Sequence, residues 1–258
     1  MGLFDGQVAL VTGATSGIGR ALARHLAGQG ARVIGAGRDQ ERLAQLAPEV
    51  DLALTLDVTR DPSVEVAAQV VQDRYGRLDV LVNNAGIGVF KPWDETTLDD
   101  HRRLHEVNVL GPVRLTRALL PHMVEAGQGA VVNVASVAGL RGYPRLGAYT
   151  ASKFALVGWS ETLRAELAGT GVDVVVACPP AVGTPFFENA GYPEYLDQRG
   201  PWPLMSAEAC AARIARAIAR RERRALIGPR AKVVYALSTL APGAFEAFKA
   251  KVRGLPGR

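Results

Sequence analysis

The segment that most constrains the fold is an apolar run over Gln7–Thr12 that leads into Thr12–Gly19 (TGATSGIG) and then into a helical pattern over Arg20–Gln29. A short uninterrupted apolar run is typical of a strand buried on both faces of a parallel sheet. Glycines permit a tight turn, and a helix N-terminus presents free N–H groups with a partial positive charge. The segment predicts a phosphate-binding β–α unit. Because its glycine spacing differs from GxGxxG, an ordinary β–α turn is the alternative.

Strand-like and helical patterns alternate along the rest of the chain. The further strands are expected at Ala31–Ala36, Leu52–Leu56, Leu78–Val82, Gly129–Ala135, Val172–Ala177 and Ala225–Ile227. The further helices are expected at Gln40–Ala47, Asp61–Tyr75, Leu98–Met123, Tyr149–Leu167, Ala207–Arg221 and Lys232–Val252, the last broken at Pro242-Gly243. Such alternation implies a parallel sheet with helices on both faces. We predict a single doubly wound α/β domain over residues 1–258, with about seven strands.

The composition is globular, with 48% hydrophobic and 21% charged residues, which argues against disorder. Cys178 and Cys210 provide neither a disulfide framework nor metal-ligand spacing, so no metal site is predicted and a reducing compartment is expected. Asp5 stands where a signal peptide would need apolar residues, and no run of about 18 apolar residues could span a membrane. These features predict a cytoplasmic protein.

The net charge of +5 is unevenly distributed, because twelve Lys/Arg and two Asp/Glu lie between Cys210 and the C-terminus. A basic segment of this kind suggests nucleic acid or an anionic membrane as a partner. Its charges alternate with alanine, isoleucine and valine at helical spacing, however, which favours a solvated helix face. We therefore expect no specific nucleic-acid partner.

The residues that follow the second expected strand bear on cofactor choice. In NAD-binding units an acidic side chain here accepts hydrogen bonds from the adenosine ribose, whereas an arginine accommodates a 2′-phosphate. Gly37 occupies the acidic position and Arg38 follows, so NADP(H) is predicted in preference to NAD(H). A solvent-exposed loop charge is the alternative for Arg38. Asp39 is predicted to cap the helix that begins at Gln40.

Other polar residues stand at strand ends or within apolar helical patterns. Asp57, followed by Val58, could accept from an adenine amino group or cap the helix that begins at Asp61. Asn83–Gly86 suits close passage of a cofactor, or simply a turn. Asn108 lies in an apolar helical stretch, where its amide needs a hydrogen-bond partner.

Tyr149 and Lys153 stand four residues apart, which places both side chains on one face of a helix. A phenol has a pKa of about 10 in water, and an adjacent ammonium group lowers that value. The pair is therefore a candidate acid/base, with a chance pairing on the surface as the alternative. Ser136 follows the strand expected at Gly129–Ala135, so it is predicted to lie at a strand end.

Taken together, TGxxxGIG at Thr12–Gly19, NNAG at Asn83–Gly86 and YxxxK at Tyr149–Lys153 make the chain resemble the short-chain dehydrogenase/reductase family over nearly its whole length. The resemblance implies a Rossmann fold and an NAD(P)-dependent oxidoreductase. It also implies that Tyr149 donates the proton in carbonyl reduction and that Ser136 positions the carbonyl. Lys153 would bind the nicotinamide ribose and lower the pKa of Tyr149. Asn108 would hold a water that links Lys153 to solvent.

The same resemblance implies which residues contact the dinucleotide. They are Gly13, Thr15, Ser16, Gly17, Ile18, Gly19, Arg38, Asp57, Val58, Asn84, Ala85, Gly86, Tyr149, Lys153, Pro179, Val182 and Thr184. One position departs from the family pattern, since Pro180 stands where glycine is usual. Proline fixes φ and lacks an N–H, so the backbone beside the nicotinamide is expected to differ.

The substrate loop is expected at residues 184–205, an irregular stretch rich in aromatics and prolines. Aromatic walls predict a small apolar ketone, aldehyde or alcohol as substrate. The residues expected to contact it are Ser136, Leu140, Tyr149 and Phe186, with Phe90, Trp93, Tyr143 and Tyr192 as further candidates for the pocket wall. An NAD-dependent alcohol dehydrogenase and a non-catalytic dinucleotide-binding regulator are the alternatives.

The C-terminal third, residues 229–258 in particular, is expected to form a helical extension. Arg223–Leu240 loosely resembles membrane-associated carbonyl and steroid reductases within the family. This suggests a peripheral membrane contact, but packing over the pocket or at a subunit interface is favoured. The family resemblance also implies a homodimer or homotetramer, with Leu98–Met123 and Tyr149–Leu167 as the interface.

Overall fold

The computed structural model describes residues 2–192 and 204–243. Its centre is a sheet of seven parallel strands in the order β3-β2-β1-β4-β5-β6-β7. The strands are β1 (Val8–Thr12), β2 (Arg32–Gly37), β3 (Leu52–Thr55), β4 (Val80–Asn83), β5 (Gly129–Val134), β6 (Val172–Cys178) and β7 (Arg224–Leu226). The predicted α/β class, the seven strands and the doubly wound arrangement are confirmed.

Helices connect the strands and cover both faces of the sheet. They are α1 (Gly17–Gly28), α2 (Gln40–Leu46), α3 (Asp61–Tyr75), α4 (Leu98–His105), α5 (Gly111–Glu125), α6 (Gly147–Glu166), α7 (Phe186–Asn189), α8 (Ala207–Ala219) and α9 (Pro229–Leu240). None of the helices within residues 2–192 and 204–243 is long and apolar enough to cross a membrane.

Alternate residues of each central strand serve two separate cores. In β1, Ala9 and Val11 pack with α1 and α8, whereas Val8 and Leu10 pack on the opposite face with α3 and α5. All of β1 is buried, so an uninterrupted apolar run is what a strand in this position requires. The two cores fix the positions of the strand ends, where parallel α/β sheets bind ligands.

The helix predicted over Leu98–Met123 is interrupted by a π-helical turn at Glu106–Leu110. Pro112 contributes to the interruption, because it has no N–H to donate to the carbonyl of Asn108 four residues earlier. The Asn108 side chain forms bonds of its own across the turn, to the backbone of Ile87. The prediction of one continuous helix was therefore wrong at the residue that carries a candidate role.

Two other local predictions had different outcomes. The Asp39 carboxylate accepts a hydrogen bond from the Arg42 N–H, so the predicted cap of α2 is confirmed. The cap predicted at Asp57 is wrong, because α3 begins after Arg60 and the Asp57 carboxylate binds Thr59 instead.

The stretch after β6 is more ordered than predicted, since its first residues form α7. Residues 193–203 of the expected substrate loop, with Tyr195 and Trp202, lie outside the described residues. The helix expected over Lys232–Val252 begins earlier, at Pro229, and ends at Leu240, just before Pro242. The remainder of the expected C-terminal extension, beyond residue 243, also lies outside the described part of the chain.

A network of hydrogen bonds among buried polar side chains joins the sheet to α5 and α6. The Asn83 amide donates to Asn133 Oδ1 at 2.8 Å and to Thr116 Oγ1 at 3.1 Å. The Asn133 amide donates to Ser160 Oγ at 2.8 Å, and that hydroxyl donates to the Leu156 carbonyl. Because buried polar groups are costly when unpaired, this network fixes both helices against β4 and β5.

We expect Asn133→Ala to lower the free energy of unfolding by about 2–3 kcal/mol, because it leaves buried polar partners unpaired and opens a cavity. Gln69→Ala is the control, since its side chain bonds to Asp73 on an exposed helix face. The control should change stability by about 0.5 kcal/mol or less. Urea unfolding measures the change in the free energy of unfolding for both variants. Equal changes would contradict the structural role given to the buried hydrogen-bond network.

Candidate active site

A large cavity lies at the carboxyl edge of the sheet, above the ends of β1, β2, β4, β5 and β6. Its volume is about 1780 Å³, well above the roughly 300–1,000 Å³ of a site for one small ligand. The cavity therefore has room for a dinucleotide together with a second molecule. Most of the predicted cofactor and catalytic residues lie at its wall.

The glycine-rich turn between β1 and α1 forms one end of the cavity. Gly13 has a φ of +64° and Gly17 a φ of +52°, a backbone region that favours glycine. A Cβ on Gly19 would lie 2.2 Å from the Gly13 carbonyl oxygen, so this position admits no side chain. The turn thus brings bare backbone and the N-terminus of α1 to the cavity, which is what a bound phosphate requires.

Asn84 and Thr12 lock this turn against β4. The Asn84 amide donates to the Thr12 carbonyl at 2.8 Å. Thr12 Oγ1 accepts from the N–H groups of Asn84 and Ala85 at 3.0 and 2.9 Å. Asn84 and Ala85 therefore shape the cavity wall as parts of the backbone frame around the turn.

The end of β2 carries the residues predicted to select the cofactor. A Cβ on Gly37 would lie 2.7 Å from Thr15 Cγ2, so a carboxylate side chain here would require the Thr15 side chain to move. Arg38 is exposed and lines the cavity. Burial opposes ionisation of Asp57, but hydrogen bonds from Thr59 and the positive charges of Arg38 and Arg60 hold the pKa of this carboxyl below its usual value.

Lys153 is the most deeply placed cation of the site, with 5% of the residue exposed. Its Nζ donates to the Val134 carbonyl at the end of β5, at 2.9 Å. Burial lowers the pKa of Lys153 to about 8. Small residues surround it: a Cβ on Gly86 would lie 3.6 Å from Nζ, and one on Gly139 would lie 2.8 Å from the Lys153 carbonyl oxygen.

Asn108 lies behind the cavity wall rather than at it. Its Oδ1 accepts from the Ile87 N–H at 2.9 Å, and its Nδ2 donates to the Ile87 carbonyl and to Ser152 Oγ, both at 3.0 Å. A Cβ on Gly86 would lie 3.1 Å from Asn108 Oδ1. Asn108 thus fixes the strand-end segment that passes beside Lys153.

Tyr149 lies between Lys153 and an aromatic wall. The Lys153 Nζ is 5.8 Å from the centre of its ring, within the range of a cation–π interaction. Phe90 packs against the ring edge-on at 5.4 Å, and Phe186 lies 5.7 Å away. Ser136 also lines the cavity, and its Oγ accepts from the Ala138 N–H at 3.1 Å. The fold thus brings Ser136, Tyr149 and Lys153 to one surface.

The turn after β6 closes the cavity opposite the glycine-rich turn. Pro179, Pro180, Val182 and Thr184 all line it. A Cβ on Gly17 would lie 3.1 Å from Thr184 Cγ2, so the two turns approach each other across the cavity. The Gly183 N–H donates to the Met205 carbonyl at 3.0 Å, which ties this turn to the segment before α8.

The predicted substrate residues are only partly brought together. Phe90, Tyr143, Phe186 and Tyr192 line the cavity. Trp93 is 89% exposed and is not among the residues that line the cavity. Leu140 packs against a cluster that includes Leu156, Val157 and Cys178 and does not line the cavity, so its predicted contact with substrate is corrected. Leu140 follows the short helical turn Val137–Gly139, and its position in the sequence alone did not reveal which way this side chain turns.

The sequence analysis favoured packing of the C-terminal segment over the pocket or at a subunit interface, and α8 and α9 do form the far wall of the cavity, but it singled out none of the residues on that wall. The residues on this wall include Met205, Arg213, Ile227, Gly228, Val233 and Leu237. The available signal was β7, because its carboxyl end lies at the same edge of the sheet as the other strand ends. The Gly228 turn that follows it was noted only as part of the C-terminal segment.

Residues 7–194 match the short chain dehydrogenase family. Among curated proteins, the ketoacyl reductase HetN of Nostoc sp. is 38% identical over 185 residues. That alignment covers 69% of this chain and 64% of the relative, slightly less than two thirds of the relative's length.

Solved structures resemble the whole described fold. A short chain dehydrogenase/reductase from Burkholderia phymatum in complex with NAD has a TM-score of 0.82 and 30% identity, and covers 97% of both chains. A short chain dehydrogenase from Burkholderia cenocepacia in complex with NADP has a TM-score of 0.82 and 28% identity, and covers 96% of this chain and 98% of that one. Structures of this kind therefore occur with either dinucleotide.

The low pKa of Lys153 predicts a particular pH dependence of stability. In the native state the amine loses its proton near pH 8, whereas the unfolded chain keeps it up to about pH 10.5. Between these values the unfolded state binds more protons, so stability should rise with pH. From pH 8 to pH 10.5, the free energy of unfolding of the wild type should rise by roughly 3 kcal/mol relative to that of Lys153→Met.

Urea unfolding of both proteins across this pH range measures the difference. Lys232→Met, which removes an exposed amine, separates the effect from a general change of charge. Parallel stability curves for the wild type and Lys153→Met would show that the buried amine is not destabilised by burial.

Proposed function

We propose that this chain, which belongs to the short-chain dehydrogenase/reductase family, transfers a hydride between NADP(H) and the carbonyl carbon of an apolar ketone or aldehyde. The observation that carries the proposal is the buried amine of Lys153 beside Tyr149 at the wall of the cavity. The reverse reaction oxidises the corresponding alcohol.

The cavity residues fit a nicotinamide dinucleotide. Bare backbone at Gly13 and Gly17 opens onto the N-terminus of α1, where a pyrophosphate is favoured. Asp57 and Val58 line the cavity beside the end of β2, where the adenosine would lie. When bound, the nicotinamide supplies the hydride chemistry, and the protein provides position and charge.

The preference for NADP(H) rests on two neighbouring residues. Gly37 offers no carboxylate to bind an unmodified ribose, and a Cβ at this position would lie 2.7 Å from Thr15 Cγ2. The guanidinium of Arg38 is exposed beside that position. Its planar set of N–H donors suits a phosphate group and can also stack on an aromatic base.

Tyr149 is the proposed proton donor to the carbonyl oxygen. As it gives up the proton, negative charge develops on its phenolic oxygen, and the nearby ammonium of Lys153 stabilises that charge. Ser136, at the same wall, orients the carbonyl by hydrogen bonding. Asn108 acts as a positioning residue, because it fixes the segment from Gly86 to Ile87 beside the amine.

An apolar substrate is inferred from the walls around Tyr149. Phe90, Phe186 and Phe187 pack against one another with ring centres 5.7 to 5.9 Å apart. Tyr143 and Tyr192 pack on the same cluster. Desolvated aromatic surface favours an apolar body, and the acid/base pair requires a carbonyl or hydroxyl group within it.

We also propose assembly into a homodimer or homotetramer through α4, α5 and α6. Large apolar side chains are exposed on these helices and on the π-helical turn between α4 and α5, as contact surfaces commonly require. They are Leu98, Leu110, Val124 and Phe154, with 73%, 42%, 36% and 44% of the residue exposed. Light scattering measures the mass of the particle in solution.

Tyr149→Phe should abolish most turnover while leaving the cofactor bound, because it removes only the hydroxyl. We expect kcat for an apolar aryl ketone with NADPH to fall by roughly 10²–10⁴-fold, the usual contribution of general acid catalysis. NADPH affinity, followed by nicotinamide fluorescence, should change little. Tyr75→Phe is the matched control, since this tyrosine pairs with Asp51 outside the cavity. Retained turnover in Tyr149→Phe would refute the proposed role.

Arg38→Ala should weaken NADPH binding much more than NADH binding and so remove the preference for NADPH. Charge-assisted hydrogen bonds of this kind are worth about 1.5–3 kcal/mol, or roughly a 10- to 100-fold difference in affinity. Arg42→Ala is the control, because Arg42 is exposed and pairs with Asp39 at 3.2 Å. If wild-type protein binds NADH as tightly as NADPH, the NAD-dependent alternative replaces this part of the proposal.

A further inference from the structure

We propose that Arg213 binds an anionic group, a carboxylate or phosphate, carried on an otherwise apolar substrate. This inference rests on the proposed function and deepens it, because it concerns the same cavity. It assigns a second anchor to the substrate, at the end of the cavity farthest from the site for adenosine.

Arg213 belongs to the cavity wall that α8 presents. Ser206, Ala209 and Arg213 line the cavity at helical spacing. The Nη1 atom of Arg213 is shielded from solvent and has no hydrogen-bond partner. A Cβ on Gly228 would lie 2.9 Å from that atom, so the guanidinium packs closely against the turn between β7 and α9.

The charge of Arg213 is not balanced by the described residues. Within residues 2–192 and 204–243, three buried side-chain polar atoms, on Arg141, Thr150 and Arg213, have neither a hydrogen-bond nor an ion-pair partner, and only the one on Arg213 lies at the cavity. Arg141 has a partner at another atom, since it donates to the Ser238 carbonyl. A buried unpaired donor in a native structure calls for an explanation, and a ligand provides one.

The glycine-rich turn, where the phosphates of the dinucleotide would lie, and Gly228, against which Arg213 packs, follow different strands of the sheet. The glycine-rich turn follows β1, whereas Gly228 follows β7, four strands away in the sheet. At the usual spacing between strands this separation is about 19 Å, and the end of β2 with Arg38 lies farther still. Ser136 follows β5, only two strands from β7, or about 10 Å away. Arg213 therefore lies on the substrate side of the reacting centre.

The surroundings of Arg213 define the rest of the substrate. Met205, Ile227, Val233 and Leu237 line this end of the cavity and offer apolar surface. Asp57 is the only carboxylate among the described lining residues, and it lies at the opposite end. The complementary molecule has a carbonyl near Tyr149, an apolar body, and a single anionic group roughly 10 Å from the carbonyl.

A matched pair of ketones tests the inference. The probes are a medium-chain keto acid, oxodecanoate with its ketone remote from the carboxylate, and its methyl ester. With NADPH, the wild type should show a kcat/KM for the acid at least tenfold above that for the ester. Arg213→Gln should lose roughly 10- to 100-fold on the acid. It should leave the ester and the Kd for NADPH unchanged, and Arg213→Lys should retain part of the preference.

Arg216→Gln is the matched control, because Arg216 lies on the same helix with its side chain exposed and bonded to the Ala212 carbonyl. This variant should behave as wild type on both probes. The inference is overturned if the wild type does not prefer the acid, if Arg213→Gln affects acid and ester equally, or if it weakens NADPH binding.

Failure of the proposed function gives a different result, namely no turnover of either ketone. In that case, the affinity of the NADP⁺-loaded protein for decanoate, measured by calorimetry, tests the inference about Arg213 independently of turnover. Binding at least tenfold tighter to wild type than to Arg213→Gln supports it, and equal affinity overturns it.

Discussion

The burial of the Lys153 amine is the constraint on which the rest of the site depends. A cation with 5% exposure is costly, and its hydrogen bond to the Val134 carbonyl offsets part of that cost while fixing α6 against the end of β5. A Cβ on Gly139 would collide with the backbone of Lys153, and one on Gly86 would contact Nζ at 3.6 Å. The result is a positive charge fixed beside the ring of Tyr149, where the proposed proton donor would need it.

The order of the strands arranges the remaining functions along one edge of the sheet. Arg38 follows β2, the glycine-rich turn follows β1, and Asn84 follows β4, which together favour a dinucleotide laid across the switch in strand order. Ser136 and the turn at Pro179 follow β5 and β6, and the cavity then continues past β7 toward Arg213. Adenosine, nicotinamide and substrate would thus occupy successive positions along a single cavity.

Much of this arrangement could be predicted from the sequence, because it depends on local patterns and on the rule that parallel strand ends meet. Buried runs such as Val8–Thr12 and the spacing of Tyr149 and Lys153 are of this kind. The π-helical turn at Asn108 depends on contacts with Ile87 in another segment, so periodicity alone did not reveal it. Leu140 was misplaced for the same reason, since its packing against Leu156 is a tertiary contact.

The most direct test of the account uses NADPH that carries deuterium at both hydrogen positions of nicotinamide C4, from which the hydride is transferred. The transfer of deuterium from this cofactor to an apolar aryl ketone is then followed. Mass spectrometry and NMR of the alcohol locate the label. We expect one deuterium on the former carbonyl carbon and unlabelled hydrogen on the oxygen, since a hydroxyl proton exchanges freely with water. Unlabelled alcohol, or no alcohol from protein that binds NADPH, would contradict direct hydride transfer at this site.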